Sequence, residues 1–269
     1  MSARNNQTNK AAARERLRAE RERQAKRDKT RRQIVVAGSI VVVLAIAAGV
    51  GYGVMQLNKP SGWEAAKSAK VVAPKNTSGT DGTTVVVGKA SAKKTLQMYE
   101  DPRCPICATF DQTVGATVQK DLDAGKFKVQ YIGATFIDNN GGEGSKNGLS
   151  ALGAALNVSP TAFEHYKTAM YSAKWHPDET TDTFKDDSYL IKIAQTVPEL
   201  KDNNAFQKAV NDGTYDAWAM KMSAKFDKSG VQGTPTLKMD GKKLTTPGSD
   251  NAPMSVAGFN TALDKALKA

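Results

Sequence analysis

Cys104 and Cys107 are the only thiols in the chain, three positions apart with Pro105 and Ile106 between them. Side chains at i and i+3 lie on one face of a helical turn, so two sulfurs at this spacing can bond across a small ring. Three chemistries suit such a pair: a structural cross-link, a redox couple, or part of a soft-metal site. A cross-link stabilises mainly by restraining the unfolded chain, and its effect grows with the loop it closes. A two-residue gap restrains little, so the pattern favours exchange chemistry over stapling.

Such chemistry needs a scaffold that presents one sulfur and activates it. Thr95-Leu96-Gln97-Met98-Tyr99 reads as a strand, and apolar residues at Phe110, Val114, Val118 and Leu122 have helical spacing. The cysteines therefore fall where a strand passes into a helix. There the free N–H groups and the positive end of the helix dipole favour a thiolate at Cys104. Pro105 suits the first helical position, where it loses no hydrogen bond. Arg103 adds a positive charge beside Cys104, and Glu100 and Asp101 oppose it.

Around this junction, Thr84–Val87 is a first strand, Phe127–Ile132 alternates as a third, and strand–helix–strand order implies a parallel pair with a right-handed crossover. From about 143 to 228 the spacing turns helical, over Leu149–Leu156, Pro160–Ala173, Ser188–Thr196, Ala205–Asn211 and Thr214–Asp227. Thr236–Met239 and Lys243–Thr245 flank the two-residue turn Asp240-Gly241, and an amphipathic helix over Met254–Leu267 closes the chain. The expected class is α/β with a helical block inserted into it.

Charge is concentrated at the start. Residues 1–33 hold twelve Lys or Arg and four Asp or Glu, about +8 of the total +11. The basic balance thus belongs to a tail and gives no sign that the folded part binds nucleic acid. Ile34 to Met55 is a run of 22 residues with no charged side chain, long enough as a helix to span a ~30 Å hydrocarbon layer. It is expected to be a single transmembrane helix, with residues 1–33 cytoplasmic by the positive-inside rule and everything beyond it extracytoplasmic. Cleavage as a signal peptide is the competing reading, disfavoured by the length of the apolar run. Residues 56–82, rich in Pro, Gly, Ser and Asn, are expected to tether the span to a domain over 83–269.

The cysteine pair at a strand-to-helix junction, the helical insertion, and Gly230-Val231-Gln232-Gly233-Thr234-Pro235-Thr236 leading into a hairpin together resemble the DsbA-like form of the thioredoxin fold, over about residues 83–268. Ala162-Phe163-Glu164-His165-Tyr166 and Gly213-Thr214-Tyr215-Asp216-Ala217-Trp218 are similar to that family's insertion. The resemblance implies that Cys104 and Cys107 form the redox-active disulfide, with no other cofactor and no metal. It also implies a cis bond before Pro235, with Thr234, Pro105 and Ile106 meeting the substrate chain.

Two positions depart from that family's pattern. Ile106 stands where many relatives carry a histidine that stabilises the thiolate, and Met98 stands six residues before Cys104, where relatives often carry a buried acid. Glu100 or Asp101 is the nearest replacement. His165 and His176 are expected on a helix surface or loop, apart from the chemistry. The function expected is dithiol/disulfide exchange at the cell membrane, oxidising reduced or misoxidised extracytoplasmic proteins with a separate redox partner. The alternatives are a reductase or isomerase, for example in cytochrome maturation, and a Cu(I)-binding module.

Overall fold

The structure, a computed structural model, describes residues 62–268. The basic tail and the span expected over 34–55 lie outside the described residues, and among those described no helix is long and apolar enough to cross a membrane. A five-stranded mixed sheet forms the centre. Its strands are β1 (Val85–Val87), β2 (Thr95–Glu100), β3 (Lys128–Gly133), β4 (Thr236–Met239) and β5 (Lys242–Lys243), in the order β1-β3-β2-β4-β5. β2 and β3 are parallel, in register from Thr95 opposite Lys128 to Glu100 opposite Gly133. The other three pairings are antiparallel.

Period-2 alternation decides the faces. Leu96, Met98, Val129, Tyr131, Leu237 and Met239 point into one apolar core. Burying such side chains contributes roughly 1.5–3 kcal/mol each. Asp240 and Gly241, both at positive φ, make the tight turn between β4 and β5. The return strand is shorter than expected. Leu244 makes one more bond to Leu237 and turns into the core, and the backbone then folds back on itself from Thr246 to Asn251.

The cysteine helix is also not one smooth element. α1 (Gly62–Ser68) precedes the sheet; α2 (Pro105–Phe110) then runs into a single π turn (Asp111–Gly115) before α3 (Ala116–Asp123). The extra residue of a π turn lets Phe110, Val114, Val118 and Leu122 all stay in the core, and Asp111 is buried along with them. α1 lies within the stretch expected as a tether. Its Trp63 and Ala66 are buried, so the folded unit begins earlier than Thr83.

The insertion comprises α4 (Gly144–Val158), α5 (Pro160–Tyr171), α6 (Asp187–Ala194), α7 (Asn204–Asn211) and α8 (Asp216–Asp227), and α9 (Val256–Lys268) ends the fold. α4 starts five residues before the expected Leu149. Its first turn, Gly-Ser-Lys-Asn, has weak propensity, but Asp138 accepts from the N–H groups of Ser145 and Lys146 at 2.9 and 3.0 Å. That cap comes from outside the helix, so local pattern does not show it. Gly153 permits α4 to lie against α8, where a Cβ would stand 2.8 Å from the Trp218 ring.

Candidate active site

Cys104 occupies the N-cap position of α2 in extended conformation, with Pro105 following in the first turn. The Cys107 N–H donates to Cys104 Sγ at 3.3 Å, and the Cys104 thiol donates to the Thr234 carbonyl at 3.5 Å. Both cysteines are free thiols. The Thr234–Pro235 bond is cis. The sheet explains this meeting across 130 residues: β2 and β4 are paired neighbours, with Tyr99 opposite Thr236, so the segments at that end of both strands are adjacent.

The two sulfurs differ in accessibility. Cys107 is fully buried and Cys104 keeps 5% exposure. The side-chain hydrogen bond from Cys107 is the largest influence on Cys104 and lowers its pKa to about 7 against the opposing effect of burial, with smaller help from Thr234 and the Cys107 and Ile106 backbone. Burial pushes Cys107 well up, reinforced by Cys104 and by the Glu100 charge. A helix end alone supplies ~0.3–1 kcal/mol, under one pKa unit. Hydrogen bonding at the sulfur therefore carries most of the effect. The pair is arranged as one reactive thiolate beside one protonated thiol.

Ile106 is 52% exposed, and it borders a groove of about 600 Å³ that also takes in Val231, Thr234, Pro235, Lys238 and Met254. An extended peptide laid there would pass the Thr234 backbone and Cys104 together. Cys104, Cys107, Ile106, Thr234 and Pro235 thus come to one place, and Pro105 starts the helix beneath them.

Arg103 does not serve the thiolate. Its guanidinium is held by Asp138 at 2.9 Å and Asp182 at 3.2 Å, and by the carbonyls of Gly141 and Glu179. Asp101 is fully buried and accepts from Ser145 Oγ at 2.6 Å and from the Arg103 and Ile137 N–H groups. Burial raises its pKa to about 6. It anchors a loop. Glu100 is the acid that acts electrically on Cys107.

His165 pairs on the surface with Glu199, as a helix-surface residue does. His176 is closer to the site than a loop position suggests, with Nε2 3.1 Å from the Pro102 carbonyl. Tyr171, on the apolar spacing of α5 with Phe163, Tyr166 and Met170, and Lys167 reach the site from the insertion, a placement that spacing alone does not show. Tyr171 packs with both cysteines and donates to the Asp101 carbonyl at 3.1 Å. Lys167 did have a signal: it lies four residues after Phe163 and three before Met170, on the apolar face of α5, where a charge needs a buried partner.

The chain matches the thioredoxin family over residues 80–265. A probable disulfide bond formation protein D of Bacillus cereus is 26% identical over 183 residues, covering 68% of this chain and 78% of that protein. Among solved structures, oxidised BdbD of Bacillus subtilis superposes with a TM-score of 0.57 at 20% identity, over 74% of this chain and all of that one. Reduced DsbA of Mycobacterium tuberculosis does so with a TM-score of 0.53 at 24% identity, over 69% of this chain and all of that one. With the sulfur pair, the cis Thr234–Pro235 loop and the helical insertion in place, the chain belongs to the thioredoxin family, among its DsbA-like thiol:disulfide oxidoreductases.

Proposed function

We propose that this protein is a membrane-anchored enzyme that introduces disulfides into secreted or cell-envelope proteins through Cys104 and Cys107. The observation that carries the exchange chemistry, without deciding its direction, is the asymmetric pair, an exposed-side thiol at Cys104 with its pKa lowered beside a buried, protonated Cys107, set against the Thr234 backbone. In the disulfide form a client thiolate attacks Cys104 Sγ, the bond to Cys107 breaks, and Cys107 leaves with the electron pair and takes up a proton. A second client thiol, deprotonated, attacks the client sulfur of the mixed disulfide. The client leaves oxidised, Cys104 leaves as thiolate, and two electrons have passed to the enzyme. Holding that thiolate stabilises the dithiol, which makes the disulfide a better oxidant.

Anchoring rests on residues 34–55, with the tail cytoplasmic and the domain outside. The relative named for disulfide bond formation supports the oxidising direction. One observation favours the reductase or isomerase reading: a Cys104 pKa of about 7 matches thioredoxin, about 7, more nearly than DsbA, about 3.5.

Equilibrating the purified full chain with glutathione buffers and trapping its thiols separates the two. A potential well above about −200 mV fits an oxidant, and one near about −270 mV, that of thioredoxin, overturns that direction. Oxidation of a reduced peptide must vanish in Cys104→Ser; full activity in that variant ends the oxidoreductase assignment of this site.

A further inference from the structure

Lys238 of β4 and Lys243 of β5 stand directly opposite each other in the sheet. Residues so opposed in an antiparallel pair point to the same face with Cβ atoms ~4.5–5.5 Å apart, and like charges there destabilise the pairing. Neither ammonium has an ion pair among the described residues. Lys238, half-buried, lies over the Tyr99 ring at 5.0 Å, and Lys243 is exposed. Asp240, the acid nearest to both in sequence, is taken up by Lys94 at 3.2 Å and by the Thr95 N–H at 3.1 Å. Charge on an edge strand also guards against edge-to-edge pairing. Lys242 and Lys243 already provide it on β5, whereas Lys238 is on the strand inside that edge. An unfavourable pair kept without a local partner points to a partner from outside. Both lysines open onto the groove of about 600 Å³ that Ile106 and Thr234 border, where they face a single acid, Asp250.

We propose that Lys238 and Lys243 select the clients of this enzyme: together they bind an aspartate or glutamate about four residues from the client cysteine that attacks Cys104. This rests on the oxidoreductase reading above and adds to it a class of substrate, acidic cysteine-containing segments. Thr234, whose carbonyl faces Cys104 Sγ, is four residues before Lys238, roughly 13 Å along an extended chain. A client lying extended in the groove advances at the same rise, so a carboxylate four residues from its cysteine comes level with Lys238. There it bridges the two ammonium groups and offsets their repulsion. Apolar client residues next to the cysteine meet Ile106, Val231 and Met254 in the same groove. The lysines hold the client and take no part in the sulfur exchange.

The test is the rate at which the disulfide form of the full chain oxidises reduced two-cysteine peptides that differ only at one position. That position carries Glu, Gln or Lys, about four residues before the first cysteine or after the second. In low salt the Glu peptide should exceed the Gln peptide in kcat/KM by roughly threefold to tenfold, as two partly exposed charge pairs allow, with the Lys peptide below both. The ratio should fall toward one near ~1 M salt, where charges are screened within ~3 Å. Lys238→Gln with Lys243→Gln should remove the preference, Lys243→Glu should turn it toward the Lys peptide, and Asp250→Asn should strengthen it. A purely structural role for the lysines would change all peptides alike. Equal rates for the three wild-type reactions in both placements, or a preference that survives the double variant, overturn the proposal. If the double variant does not fold, the wild-type salt dependence and the exposed Lys243→Glu decide, and an unmoved ratio in both overturns it. Lysine-dependent binding to vesicles of anionic lipid without any peptide preference assigns the pair to a membrane surface and overturns it too. A wild-type chain that oxidises none of the peptides refutes the oxidoreductase reading instead, so the two failures are distinguishable.

Discussion

Replacing Cys107 with alanine gives the most direct measure of how this site activates sulfur. The Cys107 thiol is the largest influence lowering the pKa of Cys104 to about 7. A hydrogen bond to a charged group contributes ~1.5–3 kcal/mol. At ~1.36 kcal/mol per pKa unit, its loss raises Cys104 by about 1–2 units, back toward an ordinary thiol near ~8.5. At neutral pH the thiolate fraction then falls from about half to a few per cent, so alkylation slows about tenfold. The assay is the ultraviolet absorbance of the thiolate against pH, paired with alkylation rates. A linked effect fixes the sign independently. A thiol whose folded pKa is depressed stabilises the reduced native state above its unfolded pKa, and that stability is lost as pH falls through about 7. Reduced Cys107→Ala must show less of this loss between about pH 9 and pH 6 than the reduced wild type. A Cys104 midpoint that stays near 7 in Cys107→Ala refutes the argument that hydrogen bonding, rather than the helix terminus, activates the sulfur.

Two other perturbations separate loop anchoring from chemistry. Arg103→Leu leaves Asp138 buried without its closest cation and destabilises the fold by about 3–5 kcal/mol in urea unfolding; the Cys104 midpoint should not move, because the guanidinium is engaged elsewhere. Asp101 has its pKa raised by burial to about 6, so its contribution is present below its unfolded pKa, near 4, and is lost as pH rises through about 6. Asp101→Asn should flatten that decline, measured as unfolding free energy between pH 4 and pH 7, and an unchanged slope contradicts the assignment.

The parts of the site made by short-range rules were legible from the residues. A strand before Cys104, Pro105 at the helix start, the Asp240-Gly241 turn and the apolar stripe of α5 each follow from local sterics or periodicity. What escaped was what depends on partners distant in sequence. Asp138 caps α4 from outside it, and Asp111, buried in the π turn, is paired with Lys167 more than fifty residues later. Arg103 looked like a neighbour of the thiolate because it is adjacent in sequence; its charge is answered by Asp138 and Asp182, which spacing alone does not connect to it. Trp63 was lost inside a polar stretch because one buried tryptophan on a seven-residue helix gives no periodic signal.

These long-range partners share a destination, and it explains why the insertion is more than a lid on the sheet. Glu100, Asp101, Pro102 and Arg103 are the four residues that deliver Cys104, and the insertion grips each one. Lys167 of α5 meets Glu100. Asp101 accepts from Ser145 of α4, and its carbonyl accepts from Tyr171 of α5. The Pro102 carbonyl meets His176, and Arg103 meets Asp182 and the Glu179 carbonyl. A loop fixed at four consecutive residues cannot shift the N-cap sulfur without breaking buried polar contacts, each costing ~1–3 kcal/mol when left unmade. The thioredoxin core supplies the sulfurs and the Thr234–Pro235 loop, while the segment that presents the pair is held in place from the helical side. Variation within the insertion is therefore the expected route by which this scaffold changes its redox behaviour with the Cys-Pro-Ile-Cys motif left intact.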